Sequence, residues 1–387
     1  MQNYQHLGPF SDLVQFAGRQ RPLFPATQPG KAIQEKVRQV LAFAPASEKP
    51  RSVQIEKRWE RDGVIGEEIT WSVGYGPGTG AWLLHPAGEG PWPGIVALHD
   101  HSGFKYYGKE KIADGPDGAI ETLQSLRDRC YGGRAYANEL AKEGFAVLVP
   151  DTFLWGSRKV PAENMPSWEH ELSQMIFNQS SQSLPEDIFK YNTACGFNEH
   201  TIAKYCNIIG ATIPGIISYE DRVATEYLAG RKDICNGRIG CIGLSGGGLR
   251  STLLNATCEH INAAVIVGLM STYEGLLDHC IFPHTWMLFP PGWGVYGDWP
   301  DLAACRAPSP MLVQYDLDDA LFTVQGMKDA DRKLVSLYRM VNAENNYRAE
   351  FYPGPHKFDV EMQRSAFAWL KLQLGDISGS KQQRKDS

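Results

Sequence analysis

The sequence predicts an α/β protein built on a doubly wound, mostly parallel sheet. Three observations carry this. Short runs such as Ile95-Val96-Ala97-Leu98 and residues 263–267 are continuously apolar, as expected of strands covered on both faces. Amphipathic stretches with helical spacing alternate with those runs from about residue 95 to 374, the pattern of repeated βα units. Ahead of them, residues 53–55, 65–73 and 81–84 alternate apolar and polar, which predicts antiparallel strands opening the sheet.

Taken in order, residues 1–50 read as a helical extension. Prolines 9, 22, 25, 29, 45 and 50 interrupt it, and Ile33, Val37, Val40 and Leu41 mark one amphipathic helix that Pro45 stops. A single amphipathic helix cannot bury itself, so the extension is expected to pack on the main domain, residues 51–375. After strand 95–98, a helix over about 133–143 ends at Gly144 and strand 145–149 follows. A helix carrying Val223, Ala224, Tyr227 and Leu228 ends at Gly230, before strand 239–242 and a helix from about 247. Strands 263–267, 311–315 and 349–352 follow. The last two precede helices striped by Met327, Leu334, Tyr338 and Val341, and by Val360, Phe367, Leu370 and Leu374. Residues 156–215 are too long for one connection and read as a helical insertion. Residues 270–309, rich in aromatics, read as a second insertion, and 376–387 as a polar, flexible tail.

Composition narrows the function. The 387 residues carry 38 basic and 44 acidic side chains, a net charge of −6, which argues against nucleic acid or anionic membrane as the main partner. No run approaches the roughly 18 apolar residues of a spanning helix. The N-terminus lacks a basic stretch followed by an apolar one, so a cytoplasmic protein is expected. None of the eight cysteines is spaced as C-x-x-C, so they read as reduced thiols, with no metal and no cofactor expected. A homo-oligomer is compatible with this composition.

The chemistry centres on Gly243-Leu244-Ser245-Gly246-Gly247, a G-x-S-x-G stretch that directly follows a predicted strand and opens a predicted helix. In that setting Ser245 is the candidate nucleophile. The candidate base is His356, the only histidine after the serine placed on a loop at a strand end. His260, His279 and His284 read as surface or pocket-wall residues. The acid should lie in Asp316-Leu317-Asp318-Asp319, past strand 311–315. Asp319 fits best, with Asp318 its competitor. Oxyanion donors are expected at the amides of Gly246 and of His101, in the loop Leu98-His99-Asp100-His101-Ser102-Gly103. His99, Asp100 and His101 could suggest a metal, but no nearby run supplies further ligands.

These segments resemble the α/β-hydrolases. Residues 98–103 look like the H-G-x-G-G stretch with Asp100 where Gly is usual, and residues 310–319 like the strand and G-x-x-D turn with Asp316 replacing the Gly. Asp151-Thr152-Phe153-Leu154-Trp155-Gly156-Ser157-Arg158 resembles the D-x-x-x-x-G-x-R segment of acetyl xylan esterase-like members of the dienelactone hydrolase group. Dienelactone hydrolases proper use Cys where this chain has Ser245. The resemblance spans about residues 50–374. It implies an α/β-hydrolase fold and a Ser245–His356–Asp319 triad, with the His101 and Gly246 amides as oxyanion donors. Asp151 and Arg158 are expected to form a structural ion pair. Trp286 is a candidate pocket wall for a small-molecule ester. The expected activity is carboxylic ester hydrolysis through an acyl-enzyme on Ser245. The same triad could instead hydrolyse a C–C bond in a ketone or diketone, and a scaffold protein on this fold is a third, weaker reading.

Overall fold

The computed structural model describes residues 4–181 and 184–375; the predicted tail lies outside the described residues. The strands are β1 (Arg51–Arg61), β2 (Val64–Ser72), β3 (Thr79–Pro86), β4 (Trp92–Leu98), β5 (Ala146–Pro150), β6 (Ile234–Leu244), β7 (Ile261–Val267), β8 (Met311–Asp316) and β9 (Tyr347–Tyr352). The helices are α1 (Asp12–Gln20), α2 (Lys31–Leu41), α3 (Gln124–Cys130), α4 (Tyr136–Lys142), α5 (Ser167–Gln179), α6 (Glu186–Ile208), α7 (Ile213–Ala229), α8 (Gly246–Thr257), α9 (Trp299–Ala303), α10 (Val324–Met340) and α11 (Val360–Leu374).

The strands form one sheet in the order β1-β2-β3-β5-β4-β6-β7-β8-β9. β1, β2 and β3 run antiparallel, and β3 joins β5 antiparallel. Asp62 and Gly63 turn β1 into β2 with φ of 50° and 76°, the two positive angles that a tight hairpin of matching twist requires. From β5 to β9 the sheet is parallel. Apolar residues fill both faces. Ile95 and Ala97 meet α4 and α11 on one side, while Val96 and Leu98 meet α7 and α8 on the other. β4 lies between β5 and β6, so the chain leaves it in opposite directions, and the crevice beyond its carboxyl end is where such sheets bind ligands.

Helix α2 buries Ile33, Val37 and Leu41 in a cluster shared with α7 and α8. Two helices differ from the sequence reading. α1 is an added helix, with no buried residue. α3 is a second addition: it precedes the helix expected over 133–143, which is α4, and Gly132 and Gly133, with φ values of 63° and 77° that cannot continue a right-handed helix, separate the two. α5 and α6 occupy the first insertion, and α7 starts at Ile213, inside its expected range. The eight cysteines are free thiols. No described helix is long and apolar enough to cross a membrane.

Candidate active site

Four strand ends build the site. β6 delivers Ser245, which turns the chain from strand to helix with φ 58° and ψ −119°. Such a conformation is costly for a residue with a side chain and persists only where its surroundings enforce it. Here the Ser245 amide donates to the Val267 carbonyl at 2.8 Å, tying the turn to β7. The flanking glycines are steric requirements. A Cβ on Gly243 would stand 2.4 Å from the carbonyl carbon of Gly247, and one on Gly247 would stand 2.0 Å from the Leu98 oxygen.

β4 delivers the second part. Leu98 pairs with Gly243, so the loop after β4 runs beside the serine turn. A Cβ on Gly246 would lie 2.6 Å from the His101 nitrogen, which places the His101 amide against the start of α8. That amide makes no hydrogen bond to the described residues. The His101 ring is engaged elsewhere. Nδ1 accepts from the Gly103 amide at 3.0 Å and Nε2 donates to Glu199 Oε2 at 3.1 Å, which defines a neutral tautomer. Burial holds this imidazole below its ordinary range despite the carboxylate. His99 Nδ1 faces the Asp100 carbonyl at 3.1 Å, so the two rings do not converge on a shared ligand. Asp100 is buried. Its carboxyl lies 3.5 Å from Lys111 Nζ and accepts from the Tyr131 hydroxyl. Burial would raise this acid, but Lys111, Ser102 and Tyr131 hold it below the usual carboxylate range.

β8 and β9 deliver the third part. His356 Nδ1 lies 2.6 Å from Asp319 Oδ2, and Asp319 Oδ1 accepts from the Leu321 amide at 2.8 Å. Of the three aspartates, Asp319 is thus the one that meets the Nδ1 side of the imidazole. Asp318 is exposed and splices the two loops instead: its Oδ2 accepts from the Gly354 amide at 2.7 Å. Asp316 is buried and accepts from the Lys357 amide at 3.0 Å. Burial works to lower the His356 pKa, but Asp319, followed by Asp316 and Asp100, carries it above the ordinary histidine value. Asp316, Asp319 and His356 bring one donor atom each within 4.8 Å of one another.

Ser245, Gly246, His101 and His356 line one cavity of about 210 Å³, closed by apolar side chains including Leu249, Leu269 and Phe322. His284 also lines it, its Nε2 facing the Leu321 carbonyl at 2.9 Å, while His260 and His279 are exposed. Ser102 and Gly103 separate this cavity from a groove of about 650 Å³ between the loop, α3 and α6. The arrangement can support nucleophilic acyl substitution: a hydroxyl at a helix N-terminus, an imidazole oriented by a buried carboxylate, and backbone amides beside them.

Two expectations are corrected. Trp286 does not line the cavity; it is 42% exposed, and its indole N–H donates to His200 Nδ1 at 2.9 Å. Asp151 and Arg158 do not pair with each other. Asp151 takes Lys109 Nζ at 3.1 Å and the amides of Lys109 and Ser157, while Arg158 reaches Glu220 on α7 at 2.5 Å. One residue near the site was not anticipated. Glu199, on α6, is buried and accepts from His101, from Lys105 Nζ at 2.5 Å, from the Thr285 hydroxyl and from the Trp286 amide at 3.0 Å. A single glutamate in the middle of a helix carries no local signal of such a role.

No family model matches the chain. Among solved structures it superposes on the glucuronoyl esterase of Solibacter usitatus with a TM-score of 0.59 at 14% identity, covering 91% of this chain and 99% of that one. The fold is that of the α/β-hydrolases. A promiscuous CE15 esterase from a marine bacterial metagenome gives a TM-score of 0.59 at 14% identity, over 92% of this chain and 98% of its own. The methylesterase BT1017 gives 0.55 at 19%; 88% of this α/β-hydrolase-fold chain is covered, but only 62% of that longer one. In sequence the chain is similar to YtaP of Bacillus subtilis (strain 168), a protein assigned as a hydrolase. They are 22% identical over 328 residues, 84% of this chain and 94% of YtaP.

Proposed function

We propose that this protein is a carboxylic ester hydrolase that works through an acyl-enzyme on Ser245. The observation that carries the reading is half-buried His356, held by buried Asp319, opening on the same cavity as a serine held at positive φ. In this reading His356 takes the Ser245 proton, and the alkoxide attacks the ester carbonyl. The tetrahedral oxyanion is held by the amides of His101 and Gly246. His356 then protonates the departing alcohol and activates water to release the acid, while Asp319 holds the ring in one tautomer and stabilises the imidazolium. The 210 Å³ cavity suits a small group beside the serine, and the larger groove suits the remainder of the ester. The names of these three structural neighbours, each an esterase, support the same reaction class.

A panel of soluble esters with wild type and Ser245→Ala tests this, together with labelling by a fluorophosphonate. Expected are labelling of Ser245, turnover of short esters, and a fall in kcat on the order of 10⁶-fold in the variant with its fold intact. Retention of more than a few per cent of activity rules Ser245 out as nucleophile. Turnover of β-diketones in place of esters selects C–C hydrolysis instead.

A further inference from the structure

Asp316 ends β8 three residues before Asp319. Its carboxyl is buried, one oxygen accepts from the Lys357 amide, and the other, Oδ1, has no hydrogen-bond partner. It belongs to the group whose donor atoms converge within 4.8 Å on His356 and Asp319. Gly268, just past β7, makes the room: a Cβ there would stand 3.1 Å from His356 Cε1 and 3.2 Å from Asp316 Oδ2. The Cε1 edge of the imidazole and the Asp316 carboxyl therefore border the same small space, while Asp319 occupies Nδ1. A buried carboxylate with an unsatisfied oxygen is costly unless it holds a proton or faces a positive charge. Protonated, the imidazole of His356 supplies that positive charge.

We propose that Asp316 is a positioning residue for His356, its carboxylate coupled through space to the charge on the imidazole so that the ring and this second carboxyl titrate as a pair. The proposal rests on the reading of His356 as the base. When Ser245 Oγ gives its proton to His356 Nε2, Asp319 stays on Nδ1 and ionised Asp316 faces the imidazolium; no further bond forms or breaks. The charges around the pair agree with this. Burial, together with Asp319, pushes Asp316 up to about 7, against the pull of the Lys357 amide and of His356. His356 is itself raised. The other ionisable groups facing the pair are Asp100 after β4, His284, which burial holds below its ordinary value, and Lys357 on the same loop. Two coupled groups titrate in two macroscopic steps, and the step at higher pH lies above the value either would show alone.

The test is an NMR titration of the His356 ring in the Ser245→Ala protein, with Asp316 intact and with Asp316→Asn, the signal assigned by its loss in His356→Gln. Asparagine keeps an acceptor for the Lys357 amide and removes the charge. Expected with Asp316 intact is a two-step titration. In Asp316→Asn it becomes one step, with its midpoint lower by roughly one pH unit, and the acid limb of kcat/KM in the Ser245 protein moves down with it. A His356 midpoint that stays or rises in the folded variant overturns the proposal. Should Asp316→Asn fail to fold, the parent titration decides alone, and a single step overturns it. The NMR arm needs no turnover, so failure of ester hydrolysis would sink the proposed function without touching this measurement.

Discussion

Glu199→Ala removes a carboxylate that four donors share. The Lys105 ammonium is the critical one: its side chain is 3% exposed and that of Glu199 6%, with 2.5 Å between them. Breaking one side of a buried ion pair leaves an uncompensated charge, a loss of about 3–5 kcal/mol. At roughly 2 °C per kcal/mol for a chain of this size, Tm should fall by on the order of 6–10 °C. The loss should be partly reversible. In Glu199→Ala/Lys105→Met the stranded charge is gone, and at least about half of the Tm loss should return. Activity should not return with it, because the His101 ring has still lost its Nε2 acceptor, and displacing the proposed oxyanion donor should cost up to about 10²-fold in kcat. Thermal melts and steady-state kinetics on one short ester read both quantities. A Tm within about 2 °C of wild type, or a double variant no more stable than the single, refutes the charge-clamp account. The pH dependence has a defined sign. Burial opposes the Glu199 carboxylate, but Lys105 and His101 hold its pKa far below the ordinary value. The stability it contributes is therefore complete above the unfolded value of about 4.3 and is lost as pH falls below it. The melt of the double variant should fall less steeply than that of wild type as pH drops below that value.

Asp319→Asn should lower kcat by roughly 10⁴-fold by favouring the wrong His356 tautomer, whereas Asp318→Asn, which keeps an acceptor for the Gly354 amide, should stay within about tenfold of wild type; the reverse order in the kinetics would show that the acid is misassigned. Trp286→Ala should cost about 1–2 kcal/mol, from one hydrogen bond and part of a half-buried ring, with the preference between acetate and bulkier acyl esters unchanged; a several-fold change in that preference would return Trp286 to the cavity wall.

What the sequence makes legible here is local. Ser245 stands in a strand–turn–helix of five residues whose glycines are demanded by contacts with Gly247 and Leu98. His356 follows β9 through Pro353-Gly354-Pro355, and Asp319 lies three residues past the end of β8. Each is placed by its distance from a strand end, and strand ends are readable from apolar runs. Where partners come from remote segments, that reasoning fails. Asp151 and Arg158 are seven residues apart, yet a tight turn aims them at Lys109 and at Glu220 on α7. Trp286 shares a helical spacing with Phe289 and Trp293, but the segment is broken into short turns, so Trp293 is buried and Trp286 faces outward. Periodicity has no meaning where the helix that defines it is absent.

The loop from Asp100 to Lys111 shows what such remote partners accomplish. It contains two glycines and carries the His101 amide, a group that must be fixed to within a fraction of an ångström to serve a developing oxyanion. Three buried lysines tie it down in three directions. Lys105 meets Glu199 of the first insertion, Lys109 meets Asp151 at the end of β5, and Lys111 meets Asp100 at the root of the loop. Apolar side chains of similar volume could replace such pairs with little loss of stability, or even a gain. They could not reproduce the direction, because apolar packing has no preferred angle and a charge-assisted hydrogen bond does. The insertion thus contributes through Glu199 to the shape of a site whose proposed reactive groups all follow strand ends. A deletion of α5 and α6 that left every strand intact would still leave Lys105 without its carboxylate and the His101 ring without its Nε2 acceptor.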